Sequence, residues 1–272
     1  MDLKKCVNIY IREGYEVNDA RAKVAQDTVL LKICKSNFKN HITIKGGVVM
    51  HNISNSIRRA TRDLDFDFIK YSLKDDSIIE FINKLNSVND DINLIIMGNI
   101  KDLKHQDYNG KRVYIKIIDK NGYSIETKLD IGVHKLFELE QDEYLFLMDS
   151  MDEGVSLFIN SPEQIFTEKL KSLLKLGIRS TRFKDLFDFC YLIKNDKIDK
   201  IKLLSTIRIV IFDDRNMKEN NISNIIFRLQ AIFGSPVYKS NLSDPKVNWL
   251  DISIDEAINM VLAYIQSLDS EN

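Results

Sequence analysis

The chain has 272 residues, 44% of them hydrophobic and 29% charged, with a formal net charge of −1. That is the make-up of an ordinary globular protein, long enough for one large domain or two small ones. No apolar run approaches ~18 residues and none follows Lys4-Lys5, which argues against a membrane span or secretion. Cys6, Cys34 and Cys190 are odd in number and far apart, as expected of reduced thiols in the cytoplasm. His41, His51, His105 and His134 lack zinc-ligand spacing.

In chain order, a helix is expected near 18–38, with Ala22, Ala25, Val29 and Ile33 at helical spacing. A short β-rich run at 42–45 leads into Gly46-Gly47 and then a short helix near 48–53. Two glycines between strand and helix let backbone N–H groups turn toward an anion, and the helix dipole favours it. The next strand, near 63–69, alternates Asp63, Asp65 and Asp67 with Leu64, Phe66 and Phe68. Period-two alternation places the acids on one face and the apolar side chains on the other. Same-face carboxylates stand ~7 Å apart and repel unless a cation lies between them. Paired divalent ions ~3.5–4 Å apart serve in-line phosphoryl chemistry.

A helix near 76–87 and strands near 92–97, 112–118 and 123–131 follow, the last two joined by Asp119-Lys120-Asn121-Gly122, a hairpin signal. In the last strand Ile125, Thr127, Leu129 and Ile131 share one face, and Glu126, Lys128 and Asp130 the other. Beyond about residue 160 the pattern turns helical, near 162–176, 184–194, 199–213, 221–233 and 253–268. The expected organisation is a mixed α+β part over 1–160 and a helical part over 161–272. Trp249 and the final amphipathic helix read as core elements.

Two helices carry charge on their apolar faces. Ser161-Pro162-Glu163-Gln164 starts the first, with Ser as N-cap and Pro in the first turn. On its wheel Lys169 falls within the arc of Ile165, Phe166, Leu170, Leu173, Leu174 and Leu176, whereas Lys171 and Lys175 face solvent. An inward lysine either snorkels or meets an anion. In the next helix Asp185 projects between Leu192 and Phe189, with Asp188 just beyond; Asp185 could also act as an N-terminal capping charge. One inward Lys and one inward Asp can line a cleft with opposite charges. Two stretches without acids, 28–62 and 169–184, hold Lys32, Lys35, Lys39, Lys45, Arg58, Arg59 and Arg62, then Lys169, Lys171, Lys175, Arg179, Arg182 and Lys184. They suggest a positive rim for a triphosphate and an RNA backbone, or simply solvated helix faces.

Strand, Gly-Gly, helix and Asp-x-Asp on a second strand together resemble the polymerase-β type of nucleotidyltransferase. The pattern Gly46, Gly47, Arg59, Thr61, Asp63, Leu64, Asp65 is similar to the first motif of the AbiEii/AbiGii toxins of bacterial abortive-infection systems and the related MenT toxins, with Leu64 for the usual Ile. Asp130-Ile131 matches their Asp-Ile motif, and Lys169 with Arg182-Phe183-Lys184-Asp185-Leu186-Phe187-Asp188 matches their helical Lys and Arg-x-Lys/Arg-Asp-x-x-Asp.

The resemblance implies a nucleotidyltransferase fold: a mixed or antiparallel sheet flanked by helices, then a C-terminal helical part. It implies Asp63, Asp65 and Asp130 as ligands of two Mg²⁺ ions, or Mn²⁺, with Glu126 a lesser substitute for Asp130. Gly46, Gly47, Lys169, Arg182 and Lys184 would bind the nucleotide, and Asp185, with Asp188 as second choice, would be an essential acid. The implied activity is NMP transfer from an NTP to an acceptor, a tRNA 3′ end by analogy, by a phage-defence toxin with a cognate antitoxin. Transfer to a protein hydroxyl or a small molecule, and a non-catalytic module binding RNA or a partner, remain open at this point.

Overall fold

In the computed structural model, described for residues 1–88, 90–103, 110–136, 138–151 and 153–269, the chain divides into two compact units, Met1–Asn160 and Ser161–Asn272. His105 lies outside the described residues.

The first unit contains helices α1 (Leu3–Arg12), α2 (Val17–Lys35), α3 (Gly47–Ser54) and α4 (Asp75–Asn86). Its strands are β1 (Ile42–Lys45), β2 (Leu64–Phe68), β3 (Ile92–Ile96), β4 (Lys101–Leu103), β5 (Gly110–Asp119), β6 (Ser124–Val133), β7 (Gln141–Met148) and β8 (Glu153–Asn160). They form one mixed sheet in the order β3-β5-β6-β2-β1-β8-β7, with β4 beside β5. β2 runs antiparallel to β1 and parallel to β6. This is the α+β architecture expected from the sequence.

The alternation of β2 decides how the sheet packs. Leu64, Phe66 and Phe68 are buried on one face, where Phe68 and Phe81 of α4 meet edge-on with ring centroids 5.2 Å apart. Phe38 packs the same way against Phe81, at 5.0 Å. Burying such a ring contributes ~1.5–3 kcal/mol, so the aromatic face fixes the strand and thereby presents Asp63, Asp65 and Asp67 on the other side. α1 and α2 are locked by the buried carboxylate of Asp27, which accepts hydrogen bonds from the Tyr10 hydroxyl (2.5 Å) and the Lys23 ammonium (2.6 Å). Burial pushes the Asp27 carboxyl above its ordinary range despite Lys23.

The second unit is helical: α5 (Pro162–Leu176), α6 (Lys184–Lys194), α7 (Lys200–Ile207), α8 (Ile222–Phe233), α9 (Pro236–Leu242) and α10 (Ile254–Ser267). The Ser161 hydroxyl caps α5 by accepting from the Gln164 N–H, as its sequence signature predicts. Phe166 of α5 packs at a tilt against Phe189 of α6, centroids 4.4 Å apart, and Trp249 and α10 supply buried core side chains. The single helix expected over 199–213 is α7 followed by a π-helical turn at Arg208–Phe212.

Three members of the first basic stretch are interior. Lys32 is fully buried and donates to the Leu85 carbonyl and the Asp90 carboxylate. Lys45 is buried against Asp67 at 2.6 Å, and Arg59 is buried as well. Arg58 and Arg62 remain exposed.

Candidate active site

The glycine turn and the acidic strand touch. Gly46 N-caps α3 with φ 72° and ψ −142°, a region closed to side-chain-bearing residues. A Cβ on Gly46 would lie 2.6 Å from Oδ2 of Asp65, and one on Gly47 would lie 2.7 Å from Oγ1 of Thr61. The glycines therefore do two things: they let the chain turn, and they leave room for Asp65 and Thr61 to lie on the backbone. Gly46 has no side chain with which to cap the first turn of α3, and the N-terminus of a helix favours an anion.

Strand register sets the acids into two rows across the sheet. The first runs Lys45–Asp65–Asp130–Arg112, one residue from each of β1, β2, β6 and β5. Its charges read plus, minus, minus, plus. The second runs Asp63–Lys128–Tyr114–Met97: Lys128 reaches Asp63 at 3.1 Å, Tyr114 is the cross-strand partner of Lys128, and the Met97 N–H donates to the Tyr114 carbonyl. Neighbouring strands lie ~4.8 Å apart, so Asp65 and Asp130 stand side by side, with Asp63 one pleat away on the same face.

Basic side chains hold most of these acids. The Arg112 guanidinium grips both oxygens of Asp130, Nε to Oδ1 at 2.7 Å and Nη2 to Oδ2 at 2.6 Å. That bond raises the Arg112 pKa further. The sequence reading placed Lys128 on the face of Asp130 without a role, and missed Arg112 and Tyr114. Counting outward from the turn at Asp119–Gly122 pairs 117 with 125 and hence 112 with 130, so the hairpin signal contained the pairing.

The donor set suits a hard divalent cation in kind, since it is all carboxylate oxygen. Its side chains are not drawn together: among the described residues no three His, Cys, Asp or Glu side chains cluster as a metal site. A cation bound by Asp63 and Asp65 would need Arg112 to release Asp130 before the third acid could join.

In the second unit the two inward charges meet directly. Lys169 on α5 lies 2.5 Å from Asp185 Oδ1 and 3.0 Å from Asp188 Oδ2, both on α6. All three are buried, Asp188 completely. Lys169 does not snorkel; its charge meets these two carboxylates. Oδ2 of Asp185 is buried without a hydrogen-bond partner among the described residues. Arg182 precedes the helix and is exposed, and Lys184 opens it half-buried. The Tyr238 phenol is pushed up by burial and then by the Asp185 charge.

The α+β sheet with a glycine turn seated on its acidic strand is the fold class of a nucleotidyl transferase. Residues 28–252 match the family model described as nucleotidyl transferase AbiEii toxin, type IV TA system, and the chain belongs to that family. Membership implies a nucleotide substrate and an antitoxin partner. No curated protein matches the chain. Among the described residues no helix is long and apolar enough to cross a membrane.

Proposed function

We propose that the chain transfers a nucleoside monophosphate from an NTP to a hydroxyl at a tRNA 3′ end, and that this arrests translation as the toxic half of a phage-defence toxin–antitoxin pair. The observation that carries the chemistry is the contact between Asp65 and Gly46, with Asp130 beside Asp65 and Asp63 one pleat away. A backbone turn suited to an anion, next to carboxylates suited to a hard cation, supports this reading. The three unpaired cysteines fit a reducing compartment, the cytoplasm.

Asp63 and Asp65 would hold Mg²⁺, or Mn²⁺, with Asp130 completing the site once Arg112 lets go. A bound ion would neutralise triphosphate charge and acidify the attacking hydroxyl. The chain's own groups do the rest. The first-turn N–H groups of α3 beyond Gly46 and Gly47 receive phosphate oxygens. Family resemblance gives Lys169, Arg182 and Lys184 phosphate contacts and gives Asp185, or Asp188, the essential helical carboxylate. The acceptor oxygen bonds to the α-phosphorus, and the bond from that phosphorus to the bridging oxygen breaks. Pyrophosphate leaves, and the hydroxyl proton passes to a carboxylate of the acidic row and on to water.

The test incubates purified protein with Mg²⁺, total tRNA and each NTP in turn, radiolabelled at the α- or the γ-phosphate. Label from the α-phosphate alone should enter tRNA, and Asp63→Asn, which removes charge from a half-exposed site, should fold as the parent does and transfer nothing. Label entering protein or small molecules instead, or an active Asp63→Asn, overturns this reading.

A further inference from the structure

A cleft of about 540 Å³ opens beside the acidic strand, entirely within the first unit. It lies along the second transverse row and is lined by Asp63, Lys128, Tyr114 and Met97, together with Arg21 of α2, Arg62 and Glu126. The volume is that of a site for one small molecule or nucleotide.

Its lining is graded. At one end Met97 and Tyr114 offer a thioether and an aromatic ring, a surface on which any base can stack. The Lys101 ammonium stands 5.2 Å from the Tyr114 ring centroid and adds positive charge there. At the other end lies Asp63, one pleat from Asp65 and from the Asp130 position. Lys128 lies between them on the row, and Arg21 and Arg62 bring the lining cations to three. Arg21 donates to the Ser124 carbonyl at 3.2 Å, and Arg62 reaches Asp19 through Nε at 2.7 Å. Lys128 meets Asp63 at 3.1 Å. A guanidinium has five N–H donors, so these anchors fix Arg21 and Arg62 without exhausting them. Three lining cations against two lining carboxylates, Asp63 and Glu126, leave the wall one positive charge in excess.

The glycine turn lies at the level of the first row, against Asp65, on the other side of Asp63 from Tyr114. The two rows therefore offer separate places for a phosphate-rich ligand and a stacking ligand, meeting at Asp63. Four neighbouring strands span three steps of ~4.8 Å, enough to lay one nucleotide from base to sugar.

We propose that this cleft receives the acceptor: the terminal nucleotide of a single-stranded RNA, its base against Tyr114 and Met97, its phosphate at Arg21 and Arg62, and its ribose hydroxyl at the Asp63 end. This rests on the reading of the chain as an RNA-directed nucleotidyl transferase and adds where the RNA sits. Tyr114, Arg21 and Arg62 are then specificity determinants for the acceptor and do not contact the NTP.

The test measures binding of a short single-stranded RNA carrying a 5′ fluorophore, by anisotropy, together with KM for RNA and for NTP. Tyr114→Ala should weaken RNA binding about tenfold or more, and Tyr114→Phe, which keeps the ring, should restore it. Arg21→Ala should weaken binding and reduce the salt slope by about one. KM for NTP should stay at the parent value in each case, and circular dichroism should report parental folding. RNA labelling by all variants at the parental KM would overturn the cleft assignment and leave the enzymatic reading intact. Label going to protein, with no RNA bound by the parent, would overturn the RNA reading and the occupant together.

Discussion

Arg112 and Asp130 face one another across the β5–β6 hairpin, joined by two parallel hydrogen bonds of 2.7 and 2.6 Å. Asp130 is mostly buried, whereas Arg112 is about one-third exposed, 8% against 30% for the side chains. The guanidinium thus occupies the place where a cation would neutralise this acid. Replacing it with an uncharged side chain of similar length, Arg112→Met, should tighten Mn²⁺ binding measured by electron paramagnetic resonance in the absence of nucleotide. It should also cost about 1.5–3 kcal/mol of stability, the worth of hydrogen bonds to a charged group. Weaker or unchanged Mn²⁺ binding would mean that Asp130 is not a cation ligand.

Gly46→Ala should be among the most damaging single-methyl additions in the chain. The new Cβ would stand 2.6 Å from Asp65 at a backbone angle of φ 72°, so strain of ~1–3 kcal/mol adds to displacement of the carboxylate. A lower unfolding midpoint together with loss of nucleotidyl transfer is expected. A variant with parental midpoint and rate would show that Asp65 does not need this contact.

Lys169→Ala would leave Asp185 and Asp188 buried around nothing. Removing one partner of a buried ion pair costs ~3–5 kcal/mol, and urea unfolding should show a loss of that size. Adding Asp185→Asn to Lys169→Ala should recover part of it, since one stranded charge is then gone. Stability unaffected by Lys169→Ala would contradict the buried triad.

Asp214 supplies a pH-dependent contribution. Burial pushes its carboxyl up, but hydrogen bonds from Lys171 (2.6 Å) and the Asn216 N–H (2.9 Å) outweigh it and hold the pKa at about 2. An unfolded Asp titrates near ~3.9. The folded pKa is therefore depressed, so this stabilisation is present above pH ~4 and disappears as pH falls through about 2. Asp214→Asn should melt below the parent at pH 7, and the gap should shrink on acidification across that window. A gap independent of pH would assign the effect to packing.

What the sequence revealed follows the range of the interactions. Asp63, Asp65 and Asp67 on one face, and Phe66 and Phe68 on the other, follow from period two, a local rule. Lys169 and Asp185 could each be read as inward-facing from a single helical wheel, although not that they touch. Lys32 could not be placed, because its partners Leu85 and Asp90 lie more than fifty residues away and only the fold brings them together. β7 and β8 were not foreseen. Leu145 and Leu147 make the exposed side of β7 apolar next to buried Phe146 and Met148, so alternation fails where it would have signalled a strand. Helix α1 was also missed. The rows that join Lys45, Asp65, Asp130 and Arg112 depend on β2 pairing with β6, which is encoded in neither strand alone.

That pairing makes the acidic face vulnerable to the smallest change of chain length. Deleting a single codon within β2 would rotate every later side chain of the strand by half a turn, aiming phenylalanine rings outward and sinking aspartates into the aromatic core. Such a lesion would abolish the site and the packing in one event. Point substitutions at Asp63 or Asp65 would spare the packing, so the two kinds of mutation should part company in any screen that scores expression separately from toxicity.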